Sequence, residues 1–277
     1  MTNNIHWFPG HMNKALHEVE ERLKMIDVVI ELFDARAPLS SVNEQLEKAI
    51  VHKKKLYVFT KADLADQNQT VLWKKKFTTP DSEVIIANLS DKSAYNSISQ
   101  AVIRLGKAKW AKEMARGMKP QPIRTMIIGI PNVGKSSLIN LLAKRKAAGV
   151  QNKPGYTRGE QWIKVNKDFL LLDTPGILPM SYENQEKAAN LALVGSIRED
   201  ILPNNELVAI LLKFLKEHYP NALKERFGIE EIKEPKEVLE VIANKRGLLA
   251  GSGRLDILKA ESLLLPCLQR SLYSVQW

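Results

Sequence analysis

A chain of 277 residues with 44% hydrophobic side chains can bury one sizeable core plus a smaller unit, so about two domains are expected. The single cysteine, Cys267, excludes an internal disulfide framework and a Cys-rich zinc site, and no apolar run approaches the roughly 18 residues that span a bilayer. Net charge is +10 and uneven: residues 1–182 carry 28 basic and 17 acidic side chains, against 13 and 14 from Glu183 onward, so an acidic partner would meet the first two-thirds. The N-terminus lacks the charged, apolar and small-residue order of a signal peptide, and a soluble cytoplasmic protein is expected.

In chain order, residues 13–25 suit a helix and DVVIELFD (27–34) reads as a buried strand. Further strands are expected at 54–60, 82–89 and 123–130, with helices at 67–77 and 94–116. A helix at 135–145 opens straight from a glycine turn, and 160–166 with 168–176 alternate as a hairpin running into a loop. Strands separated by helices predict an α/β fold with a mostly parallel sheet and helices on both faces. Residues 114–122 are the expected linker inside it. Beyond Pro179 the pattern is helix-periodic, which sets two domains, 1–180 and a small all-helical 181–277.

The strongest chemical signal is GIPNVGKSS (129–137), a G-x-x-x-x-G-K-[ST] run between a strand and a helix. Backbone N–H groups of Asn132, Val133, Gly134, Lys135, Ser136 and Ser137 would wrap phosphates at a helix N-terminus, where the dipole favours anions. Lys135 would bridge the β- and γ-phosphates, and the Ser136 hydroxyl would ligate Mg²⁺. DTPG (173–176) ends an apolar strand. There Asp173 would hold Mg²⁺ through water and the Gly176 N–H would meet the γ-phosphate. In the intervening basic loop, Thr157 is the expected second hydroxyl ligand.

TKAD (Thr60, Lys61, Ala62, Asp63) then acquires meaning as a guanine-reading box. A carboxylate at Asp63 accepts both N1–H and the exocyclic amine of guanine, a pair adenine does not offer, while Lys61 lays its stem along the base. Backbone N–H groups near Asn88 and Leu89 would meet guanine O6. The order is base box, second base loop, phosphate loop, Thr loop, DTPG, which is a circularly permuted P-loop G domain; sheet domains tolerate this because native termini often lie close together. The loop that senses the γ-phosphate now runs directly into the helical domain, so its ordering would reposition that domain on hydrolysis.

The chain resembles the bacterial ribosome biogenesis GTPase A family over nearly its full length: WFPGHM (7–12), DARAPLSS (34–41), GIPNVGKSSLIN (129–140), QWIKV (161–165), LLDTPGIL (171–178) and KRGLL (245–249). That resemblance implies a GTPase acting in late assembly of the large (50S) ribosomal subunit, stimulated by it, contacting rRNA through the helical domain, and monomeric off the ribosome. An rRNA-binding factor whose nucleotide is mainly structural, with negligible hydrolysis, is the alternative. Ile177 and Leu178 stand where Ras-type enzymes carry a water-orienting Gln. The resemblance offers His11 instead, and the other reading is that His11 caps the helix that follows it. Asn132 matches an asparagine associated with K⁺ in similar proteins, and an ordinary backbone role is equally consistent.

Three departures from the family pattern stand out. Thr60 replaces the usual Asn and is expected to lose an amide that bonds the base and braces the phosphate loop, so that Thr60→Asn would tighten GDP binding. Leu89 replaces a small polar residue, at little cost if only its N–H is used. Val42 replaces an arginine. Residues 104–124 carry seven basic side chains and one acidic, with Trp110 among them. They read as an rRNA contact through Lys107, Lys109, Lys112, Arg116 and Lys119, or as a solvated helix face. In the helical domain the local basic pair is Lys245 and Arg246.

Overall fold

Residues 9–143, 162–172, 185–196, 203–251 and 253–266 are described in the computed structural model, except for the side chains of 9–15 and 185. The apolar runs form six strands, β1 (Val28–Asp34), β2 (Lys54–Thr60), β3 (Ser82–Ile86), β4 (Ile123–Gly129), β5 (Trp162–Lys164) and β6 (Phe169–Leu172). They make one sheet in the order β3-β2-β1-β4-β6-β5. Every pairing is parallel except β5 with β6, the expected hairpin, where Trp162 lies opposite Leu172. All seven residues of β1 are buried, as a central parallel strand covered on both faces requires.

Side-chain alternation divides β1 between two layers. Val28, Ile30 and Leu32 pack with Ile98 and Val102 of α5 (Ser93–Ala115), whereas Val29 packs with Val19 and Leu23 of α1 (Pro9–Leu23). Phe33 belongs to a third cluster with Tyr57, Phe59, Trp73 and the partly buried Phe77. Trp73 and Phe77 come from α4 (Gln67–Phe77), whose start is capped by the Asp66 carboxylate accepting from the amides of Asn68 and Gln69. Two short helices that periodicity does not reveal fill the β1–β2 connection: α2 (Pro38–Ser41), with Pro38 at its first position, and α3 (Glu44–Ala49), capped by Asn43. Such lengths are set by capping chemistry, not by an apolar stripe.

The chain steps outward from β1 to β2 to β3, and β4 then returns to the other flank of β1. This reversal of winding makes a topological switch between β1 and β4, and ligands of open α/β sheets bind outside the strand carboxyl ends at such a point. Directly after β4 the chain turns into α6 (Lys135–Ala143).

The C-terminal part is helical: α7 (Gln185–Leu193), α8 (Asn204–His218), α9 (Ala222–Phe227), α10 (Pro235–Lys245) and α11 (Ile257–Leu264). Leu207, Leu211 and Leu215 of α8 are buried together with Ile242 of α10 and Leu264 of α11. This apolar cluster is continuous with that of the sheet, α7 lying against α2. The helical region is therefore seated on the strand–helix unit. No helix among the described residues is long and apolar enough to cross a membrane.

Candidate functional site

Three of the loops read from the sequence emerge at the carboxyl ends of β2, β3 and β4, on one edge of the sheet. The phosphate loop has the backbone its sequence demands. Asn132 lies at φ 54° and Gly134 at φ 106°, both in the left-handed half of conformational space. A Cβ on Gly134 would also stand 3.2 Å from Leu89 Cδ1 and 3.8 Å from Thr60 Cβ, so glycine is required twice over. The same distances show that the base box, the second base loop and the phosphate loop converge on one point. Leu89, expected to serve through its N–H alone, packs its side chain against the phosphate loop.

Thr60 corrects the sequence-based expectation. Its hydroxyl lies 2.6 Å from the carbonyl of Val133 and 3.1 Å from that of Phe33, so it ties the phosphate loop to the ends of β1 and β2. A hydroxyl has one proton to donate, and the shorter contact is to Val133. The brace is therefore present, supplied by a buried threonine in place of an amide.

Lys61 adopts a left-handed conformation (φ 54°, ψ 34°) just ahead of the 3-10 turn Ala62–Leu64 that carries Asp63. Its ammonium pairs with Asp34 Oδ2 at 2.9 Å. Asp63 is exposed, and the Ala62 amide donates to Ala87 O at 3.4 Å, joining the two base loops. The Asn88 side-chain oxygen accepts from the Ser90 amide at 2.9 Å, which fixes the turn after β3. Lys135 Nζ donates to the carbonyls of Gly129 (3.0 Å) and Ile130 (2.7 Å), inside the loop it closes; reaching a phosphate means exchanging these acceptors for phosphate oxygens. Ser136 and Ser137 are exposed in the first turn of α6, where unsatisfied N–H groups favour an anion.

Thr157, Asp173 and Gly176 lie outside the described residues. His11 belongs to the first turn of α1, which begins at Pro9 and not at residue 13, so it does not sit ahead of the helix as the capping reading requires; its side chain is outside the described residues.

The basic residues separate into two kinds. Lys109 donates to the carbonyls of Gln121 and Pro122 and pairs with Asp27 and Glu113, and the Trp110 indole donates to Gln121 O. These side chains fasten the end of α5 to the segment entering β4. Lys245 Nζ donates to Phe227 O and Gly228 O at the end of α9, and Arg246 lies over the Phe227 ring. Lys109 is thus half-buried and engaged within the fold, Lys245 and Arg246 have partners in the fold while remaining exposed, and Lys107, Lys112, Arg116 and Lys119 are exposed along α5 and the turn after it.

Sequence reading gave DARAPLSS no role, yet it holds the most buried charge near the site. Asp34 and Arg36 are 0% and 1% exposed. Arg36 donates from Nε to Asp34 Oδ1 (2.8 Å) and from Nη2 to Oδ2 (2.6 Å). Burial by itself would raise the Asp34 pKa, but the Arg36 and Lys61 contacts outweigh it and hold the carboxylate below its usual range. The available sign was an Asp closing a buried strand with an Arg two residues on.

The family model described as 50S ribosome-binding GTPase matches residues 124–245, beginning in β4 and leaving the base box upstream of the match. The chain is 45% identical over 262 residues to the Ribosome biogenesis GTPase A of Bacillus cereus, covering 94% of this chain and 88% of that protein. It is 42% identical to that of Bacillus licheniformis, with 94% and 93% covered. Among solved structures, a GNP-bound YlqF from T. maritima is similar with a TM-score of 0.59 at 26% identity (92% of this chain, 94% of that one), and a GDP-bound YlqF with 0.63 at 25% (94% and 98%). Similar in sequence over most of its length and in the sheet that carries the permuted loops, the chain belongs to the ribosome biogenesis GTPase A family, as a GTP-hydrolysing enzyme with a circularly permuted G domain.

Proposed function

We propose that this GTPase is an assembly factor for the large ribosomal subunit, cytoplasmic and monomeric away from the particle, with the subunit stimulating hydrolysis. The observation that carries the nucleotide site is the convergence of Thr60, Leu89 and Gly134, which sets base-reading and phosphate-holding loops against one another. Asp63 reads guanine, Lys61 covers the base, backbone N–H groups of Asn88 and Leu89 meet O6, and residues 132–137 hold the phosphates, with Lys135 balancing their charge. The exposed Ser136 hydroxyl in the first turn of α6 suits a hard cation. Ser136, Thr157 and Asp173 would hold Mg²⁺, which supplies charge neutralisation on the phosphates. The Asn132 amide oxygen is the protein ligand that would receive K⁺, and His11 the group that would orient water.

The subunit assignment is supported by the matching family, described as 50S ribosome-binding GTPase, and by the names of the relatives. The exposed row Lys107, Lys112, Arg116 and Lys119 has the charge for a phosphate backbone. After Gly176 the chain continues into the helical region (181–277), and loss of the γ-phosphate repositions that region and releases the factor. Identical placement of the helical region in GDP and GTP-analogue states would refute this last step.

Two experiments test the reading. Asp63→Asn replaces a double acceptor by a donor and an acceptor, which suits xanthine, so nucleotide preference should move from GDP toward XDP. An unmoved preference refutes the base box. Turnover of GTP with and without large subunits, in K⁺ and in Na⁺, tests the rest: no stimulation by the subunit refutes the partner, and equal rates in both salts refute the role of Asn132.

A further inference from the structure

A chain of polar contacts, centred on the buried Asp34 and Arg36, runs from the base box into the helical region. Lys61 Nζ meets Asp34 Oδ2 at 2.9 Å, and Arg36 grips both oxygens of the same carboxylate through Nε and Nη2, its backbone N–H adding a 3.1 Å bond to Oδ1. Arg36 Nη2 also donates to the carbonyl of Val194 at 2.8 Å. Its two protons therefore serve two elements far apart in sequence.

Val194 immediately follows α7, so its carbonyl is one of the acceptors that a helix end leaves without an intrahelical donor, and a cation there also suits the helix dipole. Two residues on, the Ser196 carbonyl faces Asn132 Nδ2 of the phosphate loop at 3.5 Å. On the base side, Asp66 Oδ2 accepts from the Tyr219 hydroxyl, at the end of α8, at 3.1 Å. The helical region thus touches the nucleotide edge at the base-box side and at the phosphate loop.

Lys61 needs such a tether. A non-glycine residue in the left-handed region is strained and persists only where surrounding contacts over-determine it. We propose that Arg36 is a positioning residue, through which docking of the α7 C-terminal turn sets the Asp34–Lys61 pair and hence the guanine-reading geometry of the base box. Arg36 touches no substrate. It acts through Asp34 on Lys61, and Lys61 shares its turn with Asp63. Coupling between two sites is reciprocal, so guanine nucleotide in the base box stabilises the Val194–Ser196 turn by the same factor.

The proposal rests on the base-box reading, and Asp63→Asn decides that reading separately. The test is a double-mutant cycle on the full chain, with GDP affinity measured by titration calorimetry for wild type, Arg36→Lys, Lys61→Met and the double variant. Lysine keeps a positive charge beside Asp34 but has no fork to reach both the carboxylate and Val194. Each single change should weaken GDP by roughly tenfold, and the double variant by little more than either, because residues in one network are not additive. A purely structural ion pair predicts multiplying effects or none. Hydrogen exchange on the unmodified protein provides the arm that needs no variant. The amides of Val194, Gly195 and Ser196, bonded to the carbonyls of Asn190, Ala192 and Leu191, should gain protection when GDP is added. No gain in protection, wild-type GDP affinity in folded Arg36→Lys, or multiplying effects would each overturn the proposal. A normal shift to XDP in Asp63→Asn alongside such results would place the failure in the strut and not in the box.

Discussion

Replacing Thr60 by Val removes a single oxygen while keeping volume and β-branching. The oxygen is fully enclosed, its side chain 1% exposed, so no water takes its place beside the Val133 and Phe33 carbonyls. A buried acceptor left without a donor costs about 1–3 kcal/mol. The Val133 carbonyl belongs to a loop that can relax, which places the expected loss of folding stability near the lower half of that range, about 1–2 kcal/mol. The same bond holds the phosphate loop in register with the base box, and part of its loss reappears in binding. With 1.4 kcal/mol for each tenfold change, GDP should bind roughly 3–10-fold more weakly. Urea unfolding and GDP calorimetry on the same preparation measure both quantities. Thr60→Asn should weaken binding as well, since the longer amide has to displace the packed wall formed by Phe33, Val133 and Gly134. Wild-type affinity in folded Thr60→Val, or tighter binding in Thr60→Asn, would refute the brace.

Gly134→Ala should abolish detectable GDP binding while leaving far-UV circular dichroism unchanged, because the added Cβ meets Leu89 at a residue whose φ is already 106°. Glu31 is fully buried in β1 with neither carboxylate oxygen partnered among the described residues, and burial followed by the Glu47 charge raises its pKa well above the ordinary value. The folded state then holds a proton that the unfolded chain has released, so above the ordinary glutamate pKa of 4.5 stability falls as pH rises toward the folded pKa. Glu31→Gln should remove that slope, its advantage over wild type growing as pH rises above 4.5; parallel urea midpoints for the two proteins across this rise would contradict it. On the basic surface, Lys112→Ala with Lys107→Ala should weaken binding to large subunits and flatten its salt dependence without changing the melting temperature. Lys109→Met should instead lower the melting temperature, because it removes the ammonium shared by Gln121 O, Pro122 O and Asp27.

What was legible in the sequence shares one property: short-range pattern. The strands of the sheet are apolar runs bounded by turns, α4 runs between Gln67 and Phe77 as its spacing suggests, and the phosphate loop is defined by glycines whose backbone angles belong to the motif. The early position of TKAD also followed from order alone, since the permutation is a statement about sequence. α2 and α3 escaped notice because four and six residues carry too few turns for a periodic stripe. Lys109 and Lys245 read as free charges because a sequence does not say which carbonyls end up within reach of an ammonium.

Residue chemistry by itself pointed to Gly129–Ser137 as the phosphate loop and to Asp63 as the guanine reader, because those expectations depend on atoms a few residues apart. Only the tertiary structure decided what holds these loops to one another. The hydroxyl of Thr60 reaches Val133 across 73 positions, and Arg36 reaches Val194 across 158. Both bonds exist because β1 and β4 are neighbours at a topological switch and because α7 ends over it. Contacts of that length have no local signature: the donor and acceptor are ordinary groups until the sheet order and the seating of the helices bring them within 3 Å.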